Sequence, residues 1–130
     1  MNAREILKDR HGVVRSIPPD ATVFEAVQAM DKFKVGALMV IDDGKLLGII
    51  FERDYTRKVA LKDRSSKTTK VSEIMTHKIA HVEPEVGIEK CMDIMCKRRI
   101  RHLPVVEKGK VLGVISSTDL LLLTVSEKDH

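Results

Sequence analysis

The chain has 130 residues, 43% of them hydrophobic and 32% charged, with a formal net charge of +4. This is an ordinary balance for a soluble globular protein, and a chain of this size buries roughly two-thirds of its unfolded surface without staples. No apolar run approaches the roughly 20 residues of a membrane span, and Met1-Asn2-Ala3-Arg4-Glu5-Ile6-Leu7 has no signal-peptide core, so a cytoplasmic protein is expected.

Residues 3–10 read as a short amphipathic lead-in with Ile6 and Leu7 as its apolar contacts. Val13-Val14-Arg15-Ser16-Ile17 predicts a strand, ended by Pro18-Pro19-Asp20 because proline cannot donate to a ladder. Thr22 and Glu25 form a T-x-x-E capping box that opens a helix. Val23, Ala26, Val27 and Met30 give that helix one apolar stripe, and Gly36 is a plausible stop. Ala37-Leu38-Met39-Val40-Ile41 is a continuous apolar run, as in a strand buried on both faces. Asp42-Asp43-Gly44-Lys45 is a turn with glycine at positive φ, and the strand returns from Leu46 to Phe51. A helix is expected from about Glu52 to Lys62, with Glu52 and Asp54 favourably placed in its first turn. Residues 62–70 are almost without apolar side chains and read as a linker, followed by a helical turn at Val71-Ser72-Glu73-Ile74-Met75.

The order then repeats. Ile79-Ala80-His81-Val82 is a strand broken by Pro84, and Ile88, Cys91, Met92 and Met95 form a helical stripe. His102-Leu103-Pro104-Val105-Val106 and Val111-Leu112-Gly113-Val114-Ile115-Ser116 are strands joined by Glu107-Lys108-Gly109-Lys110, and a leucine-rich helix runs from Asp119 to about Val125. Gly48 and Gly113 are 65 residues apart (113 − 48), as are Asp54 and Asp119 (119 − 54). The same offset relates Pro19 to Pro84, Met30 to Met95, and Leu38 to Leu103. One β-α-β-β-α unit is written twice. Each copy leaves one face of its sheet to cover, and a second copy packed sheet to sheet about a local two-fold would close the core. The expected fold class is α/β of the α+β type. Residues 1–62 are the first copy with its lead-in, 63–75 a linker and short helix, and 76–130 the second copy, together one compact module.

Cys91 and Cys96 are five apart on a helix, on different sides, which argues against an internal disulfide; both read as buried small apolar residues, with a reactive thiol as the alternative. No CxxC or Cys/His set has zinc spacing, so no metal is expected. No nucleophile elbow or P-loop is present, and the expectation is a protein that is not an enzyme. Basic residues concentrate in Lys97-Arg98-Arg99-Ile100-Arg101-His102. A nucleic-acid reader wants a wider basic face and stacking aromatics. Phe24, Phe33, Phe51 and Tyr55 are the only aromatics and none lies there, which argues against nucleic acid and for a small phosphate ligand. The same charges also suit the simple solvation of a helix end.

The doubled order resembles a tandem pair of CBS domains, or Bateman module, of the stand-alone bacterial type. The matching marks are the T-x-x-E helix with Met30, the strands at Val35-Gly36-Ala37-Leu38 and Arg99-Ile100-Arg101-His102-Leu103-Pro104-Val105-Val106, the Gly-Lys turns, and Gly-x-x-x-x-x-Asp after each. The resemblance implies a regulatory module that binds adenine nucleotides (AMP, ADP, ATP, NAD or S-adenosylmethionine) in clefts between the repeats. It also implies a homodimer and a regulated protein partner; no membrane association is expected, since no apolar run is long enough to span.

In the family motif Gly-h-x-[Ser/Thr]-x-x-Asp this chain supplies Gly113, Ser116 and Asp119. Asp119 would accept the two ribose hydroxyls, as an ionised carboxylate can. Ser116 and Thr118 would bond phosphate or sugar, and Arg101 and His102 would meet phosphate, a guanidinium by a bidentate fork. Lys78, Ile79 and Ala80 would form the entry strand beside the base, with Leu103 and Pro104 as the other wall. Ser116-x-x-Asp119 is equally a capping box that needs no ligand, and Ile79 and Leu103 equally read as core. The first copy keeps Gly48 and Asp54 but has Phe51 in place of the hydroxyl, and Gly36-Ala37 in place of the basic pair. Arg53 would supply charge there, and Phe51 either stacks on a base or fills the cleft. One good site at Asp119 and an altered or empty one at Asp54 are expected. The competing reading is a ligand-free dimerisation or scaffold module that acts through a partner protein.

Overall fold

The computed structural model describes residues 1–8 and 15–128, with side chains up to Leu123. Val13 and Val14 of the first predicted strand lie outside the described residues. The chain divides into two compact bodies: one is Arg15–Ile79, and the other combines the N-terminal segment with Ala80–His130.

The first body begins with β1 (Ser16–Ile17), parallel to β2 (Ala37–Asp42), which pairs antiparallel with β3 (Lys45–Phe51). Between them lies α2 (Val23–Phe33). Its capping box is complete: the Glu25 N–H donates to Thr22 Oγ1 (3.1 Å), and the Thr22 N–H donates to Glu25 Oε1 (3.2 Å). Val23, Ala26 and Met30 of its stripe are buried against Leu38, Val40 and Ile50. The helix stops before Gly36, at Lys34, whose φ of 57° turns the chain left-handed while its N–H reaches the Met30 carbonyl. At the hairpin tip both Asp43 and Gly44 have positive φ, as a twist-matched two-residue turn requires. The chain then enters α3 (Glu52–Tyr55), which continues as a π-helical turn at Thr56–Ala60 rather than one α-helix to Lys62. Residues 62–70 are not a slack tether. Ser66 and Thr69 carbonyls accept the Phe24 and Val23 N–H groups at 2.9 and 2.8 Å, which satisfies donors that the start of α2 would otherwise leave open. Next comes α4 (Val71–Ile74), whose Val71 and Ile74 join the core.

The second body repeats these devices. Its elements are α1 (Ala3–Lys8), α5 (Ile88–Arg98), the antiparallel pair β4 (His102–Glu107) and β5 (Lys110–Ser116), and α6 (Ser117–Lys128). The strand predicted at residues 79–82 contracts to one parallel bridge, Val82 with Val105. Arg99 turns left-handed at the end of α5 as Lys34 does after α2, and Lys108-Gly109 repeat the positive-φ hairpin tip. Ala3, Ile6, Cys91, Leu103 and Ile115 form a core from which water is fully excluded. Burying side chains the size of Leu103 or Ile115 is worth about 1.5–3 kcal/mol each. Two members of the expected set depart from the core: Met92 and Cys96 are exposed, because their positions on α5 face away from the sheet.

The short helices dock across the repeat order. The Val71 and Ser72 N–H groups donate to the Ala21 and Pro19 carbonyls (2.8 and 3.0 Å), so α4 closes the first copy. The Ala3 and Arg4 N–H groups donate to the Val86 and Pro84 carbonyls (2.8 and 2.9 Å), so α1 closes the second. The compact bodies are therefore cut differently from the chain-order division at 1–62, 63–75 and 76–130. A lead-in cannot bury Ala3 and Ile6 in a copy whose matching surface is already taken by Val71 and Ile74.

Candidate functional site

The second body gathers one polar group where β5 passes into α6. His102 and Ser116 stand opposite each other at the end of the β4–β5 ladder. One residue on, the Ser117 N–H donates to the Arg101 carbonyl at 2.9 Å, which holds Arg101 beside the start of α6. Ser116 caps the helix: its Oγ accepts the Asp119 N–H at 3.1 Å. Asp119 answers by accepting the Ser116 N–H on Oδ2 at 2.8 Å, and the Ser116 hydroxyl also donates to Oδ2. The capping box read from Ser116-x-x-Asp119 is thus formed. A carboxylate at N3 also meets the positive end of the helix dipole. Asp119 is half-buried, while Arg101, His102 and Thr118 are exposed.

The proposed apolar walls lie deeper. Leu103 is fully enclosed and Pro104 buried, so both serve the core first. Ala80 is half-buried against the same core, whereas Lys78 and Ile79 belong to the first body.

The first body places Asp54 at the corresponding position of α3. Asp54 Oδ2 accepts the Phe51 N–H at 2.9 Å, but Phe51 has no hydroxyl to complete a cap. Instead the carboxylate, only 5% exposed, takes Lys58 Nζ on Oδ1 at 3.0 Å and lies 3.4–3.5 Å from the Thr76 hydroxyl. The Lys58 ammonium also donates to the Ile74 carbonyl at 2.8 Å. The Arg53 guanidinium sits over the Phe51 ring, 4.2 Å from its centroid. A separate cavity of about 280 Å³ is lined by Val27, Met30, Asp31, Glu52, Tyr55 and Thr56, and none of the sequence-derived candidates lines it.

The family model of the CBS domain matches residues 3–61 and again residues 71–126. The chain belongs to the CBS domain family. It carries two CBS repeats and joins a family of paired regulatory modules. The CBS domain-containing protein CBSX3, mitochondrial, of Arabidopsis thaliana is 43% identical over 113 residues, 83% of this chain. The match spans 55% of that relative's length. Among solved structures, the CBS domain protein NE2398 superposes with a TM-score of 0.82 at 40% identity, covering 96% of this chain and 98% of the other. A protein with CBS domains from Burkholderia ambifaria MC40-6 gives a TM-score of 0.81 at 39% identity, covering 98% and 96%.

Two partners of the CBS repeats' acidic residues were missed by reading the sequence. Lys58 was legible in principle, since an acid four residues before a lysine on a helix is a favourable pair. Thr76 is 22 residues from Asp54 and only folding brings them together. No helix among the described residues is long and apolar enough to cross a membrane.

Proposed function

We propose that the chain is a regulatory adenine-nucleotide sensor whose ligand is held at the start of α6 in the second CBS repeat. The observation that carries this reading is the convergence of Asp119, Ser116, Arg101 and His102 on one strand-to-helix junction. Each has a task that a nucleotide sets. Asp119 takes the ribose hydroxyls, whose hydrogens a carboxylate accepts. Ser116 and Thr118 bond sugar or phosphate. Arg101 and His102 meet the phosphate charge at an exposed edge, where AMP, ADP, ATP and NAD all present an anion. The ligand acts by binding two states of the protein with different affinity, and the listener is a partner protein or a second copy of the chain. The apolar side chains of Leu121 and Leu122, each 63% exposed on α6, support a homodimer.

The capping box itself favours a second reading. Ser116 and Asp119 satisfy each other without a ligand, as a scaffold module would need. Thermal unfolding with AMP, ADP, ATP, NAD and S-adenosylmethionine, beside Asp119→Asn, separates the two. A ligand at 100 times its Kd adds about 2.7 kcal/mol. The sensor reading expects a rise in Tm from at least one ligand, much reduced in the variant. Unchanged Tm with all five at millimolar concentration would leave the scaffold.

A further inference from the structure

The first CBS repeat retains the acid but surrounds it with its own side chains. Asp54 is almost wholly buried, and the Lys58 ammonium lies 3.0 Å from its Oδ1. That ammonium is fixed from two sides, because it also donates to the Ile74 carbonyl at 2.8 Å. Phe51 and Arg53, which could serve a ligand here, are stacked on each other, and the Thr76 hydroxyl lies 3.4–3.5 Å from the carboxylate. At the register of Lys58 the second repeat has Leu123, which packs against the core and brings no charge to Asp119. Asp54 thus carries a tethered cation that comes from a position where the second repeat has an apolar side chain.

We propose that Lys58 is a built-in occupant of the first repeat's ribose-binding position, and so determines how many nucleotides one chain takes. This rests on the reading of Asp119 as the ribose acceptor. An ammonium donates to a carboxylate as sugar hydroxyls do, with a full charge added. It is supplied by the chain itself, so its effective concentration exceeds that of a free nucleotide. While Lys58 bridges Asp54 and Ile74, a nucleotide must displace it; with Lys58 removed, Asp54 Oδ1 loses its ammonium and can accept from a ligand, while the Phe51 N–H stays on Oδ2.

The test is nucleotide stoichiometry by isothermal titration calorimetry with AMP, ATP and NAD, on the wild-type chain, Lys58→Met, Asp119→Asn and the double variant. Methionine keeps the length and apolar stem of lysine and removes its charge. Circular dichroism checks that each variant is folded. The expected result is one nucleotide per wild-type chain, two for Lys58→Met, none for Asp119→Asn and one for the double variant. The released site should bind about tenfold more weakly, since Phe51 withholds one hydrogen bond. One nucleotide for both wild type and Lys58→Met overturns the role of Lys58 and leaves the Asp119 reading intact. Two for the wild type overturns it as well, since Lys58 then excludes nothing. None for the wild type but one for Lys58→Met overturns the Asp119 reading and upholds Lys58 as the occupant. None in any protein overturns both.

Discussion

The Val71 amide donates to the Ala21 carbonyl at 2.8 Å, and the Ala3 amide donates to Val86 at the same distance. Ala21 and Val86 are equivalent under the 65-residue repeat, but Ala3 and Val71 are 68 residues apart. Each copy is thus completed by a helix that precedes the other copy in the sequence. Ala3 and Ile6 are consequently part of the core of the second repeat, although more than seventy residues separate them from it.

Shortening Ile6 should therefore damage the second repeat. Its side chain is fully buried among Cys91, Leu103 and Ile115. Ile6→Ala is expected to cost about 2–5 kcal/mol in urea unfolding, the range for a large aliphatic core residue cut to alanine. Leu61→Ala, at a position 74% exposed, should fall within about 0.5 kcal/mol of the wild type.

The two strand glycines should respond unequally to alanine. A Cβ on Gly48 would lie 2.8 Å from the Thr76 carbonyl oxygen and from Met75 Sδ. Thr76 is bound to Ile49 in both directions, at 2.8 and 3.0 Å, and cannot move without breaking that bridge. A Cβ on Gly113 would meet the tip of Leu7 at 2.8 Å, a side chain that can rotate away. Gly48→Ala should lower stability by about 1–3 kcal/mol, the usual range for overpacking, and Gly113→Ala by less. Equal losses in thermal unfolding would contradict this account.

Much of the fold is legible before folding because it is local. The T-x-x-E cap at Thr22, the stripe from Val23 to Met30 and the Gly44 and Gly109 turns each follow from a few neighbouring residues. So does the S-x-x-D cap that unites Ser116 and Asp119. What escapes is non-local or rests on a competing backbone solution. The docking of Ile6 depends on which copy offers an open surface, which no local pattern states. The stop of α2 falls at Lys34 because the left-handed turn closes on the Met30 carbonyl, ahead of the more permissive Gly36. Cys96, expected to be buried with Cys91, is exposed because only one face of α5 meets the sheet.

The two thiols should separate by reactivity. Burial raises the pKa of Cys91, holding it as the neutral thiol, whereas Cys96 is exposed. Titration with a disulfide reagent near pH 8 should modify one thiol per folded chain quickly, and the second only on unfolding. Because the folded pKa of Cys91 is raised, its contribution to stability is present below the unfolded thiol pKa, about 8.5. It declines as pH rises toward the folded value. Cys91→Ser should flatten that alkaline decline.

Glu73 carries an acid-side counterpart. Its Oε2 accepts the Lys70 N–H at 2.6 Å, and Oε1 meets Arg64 at 2.9 Å. The backbone bond first, and then Arg64, lower its pKa despite partial desolvation. The stabilisation is present above the unfolded value, about 4.3, and is lost as pH falls through the folded one. Glu73→Gln should be less stable than the wild type at pH 7 and converge toward it in acid. The gap should shrink in high salt, since the pair is exposed.

On the proposed reading, a nucleotide sits at the junction of β5 and α6 in the second repeat. Amide NMR of the uniformly ¹⁵N-labelled chain, titrated with AMP, ATP and NAD in turn, reads that position residue by residue. Saturable shifts are expected at Arg101, His102, Ser116, Ser117 and Asp119 for at least one nucleotide, lost in Asp119→Asn. Unmoved signals at these residues with all three at millimolar concentration would contradict it, as would shifts confined to other parts of the chain.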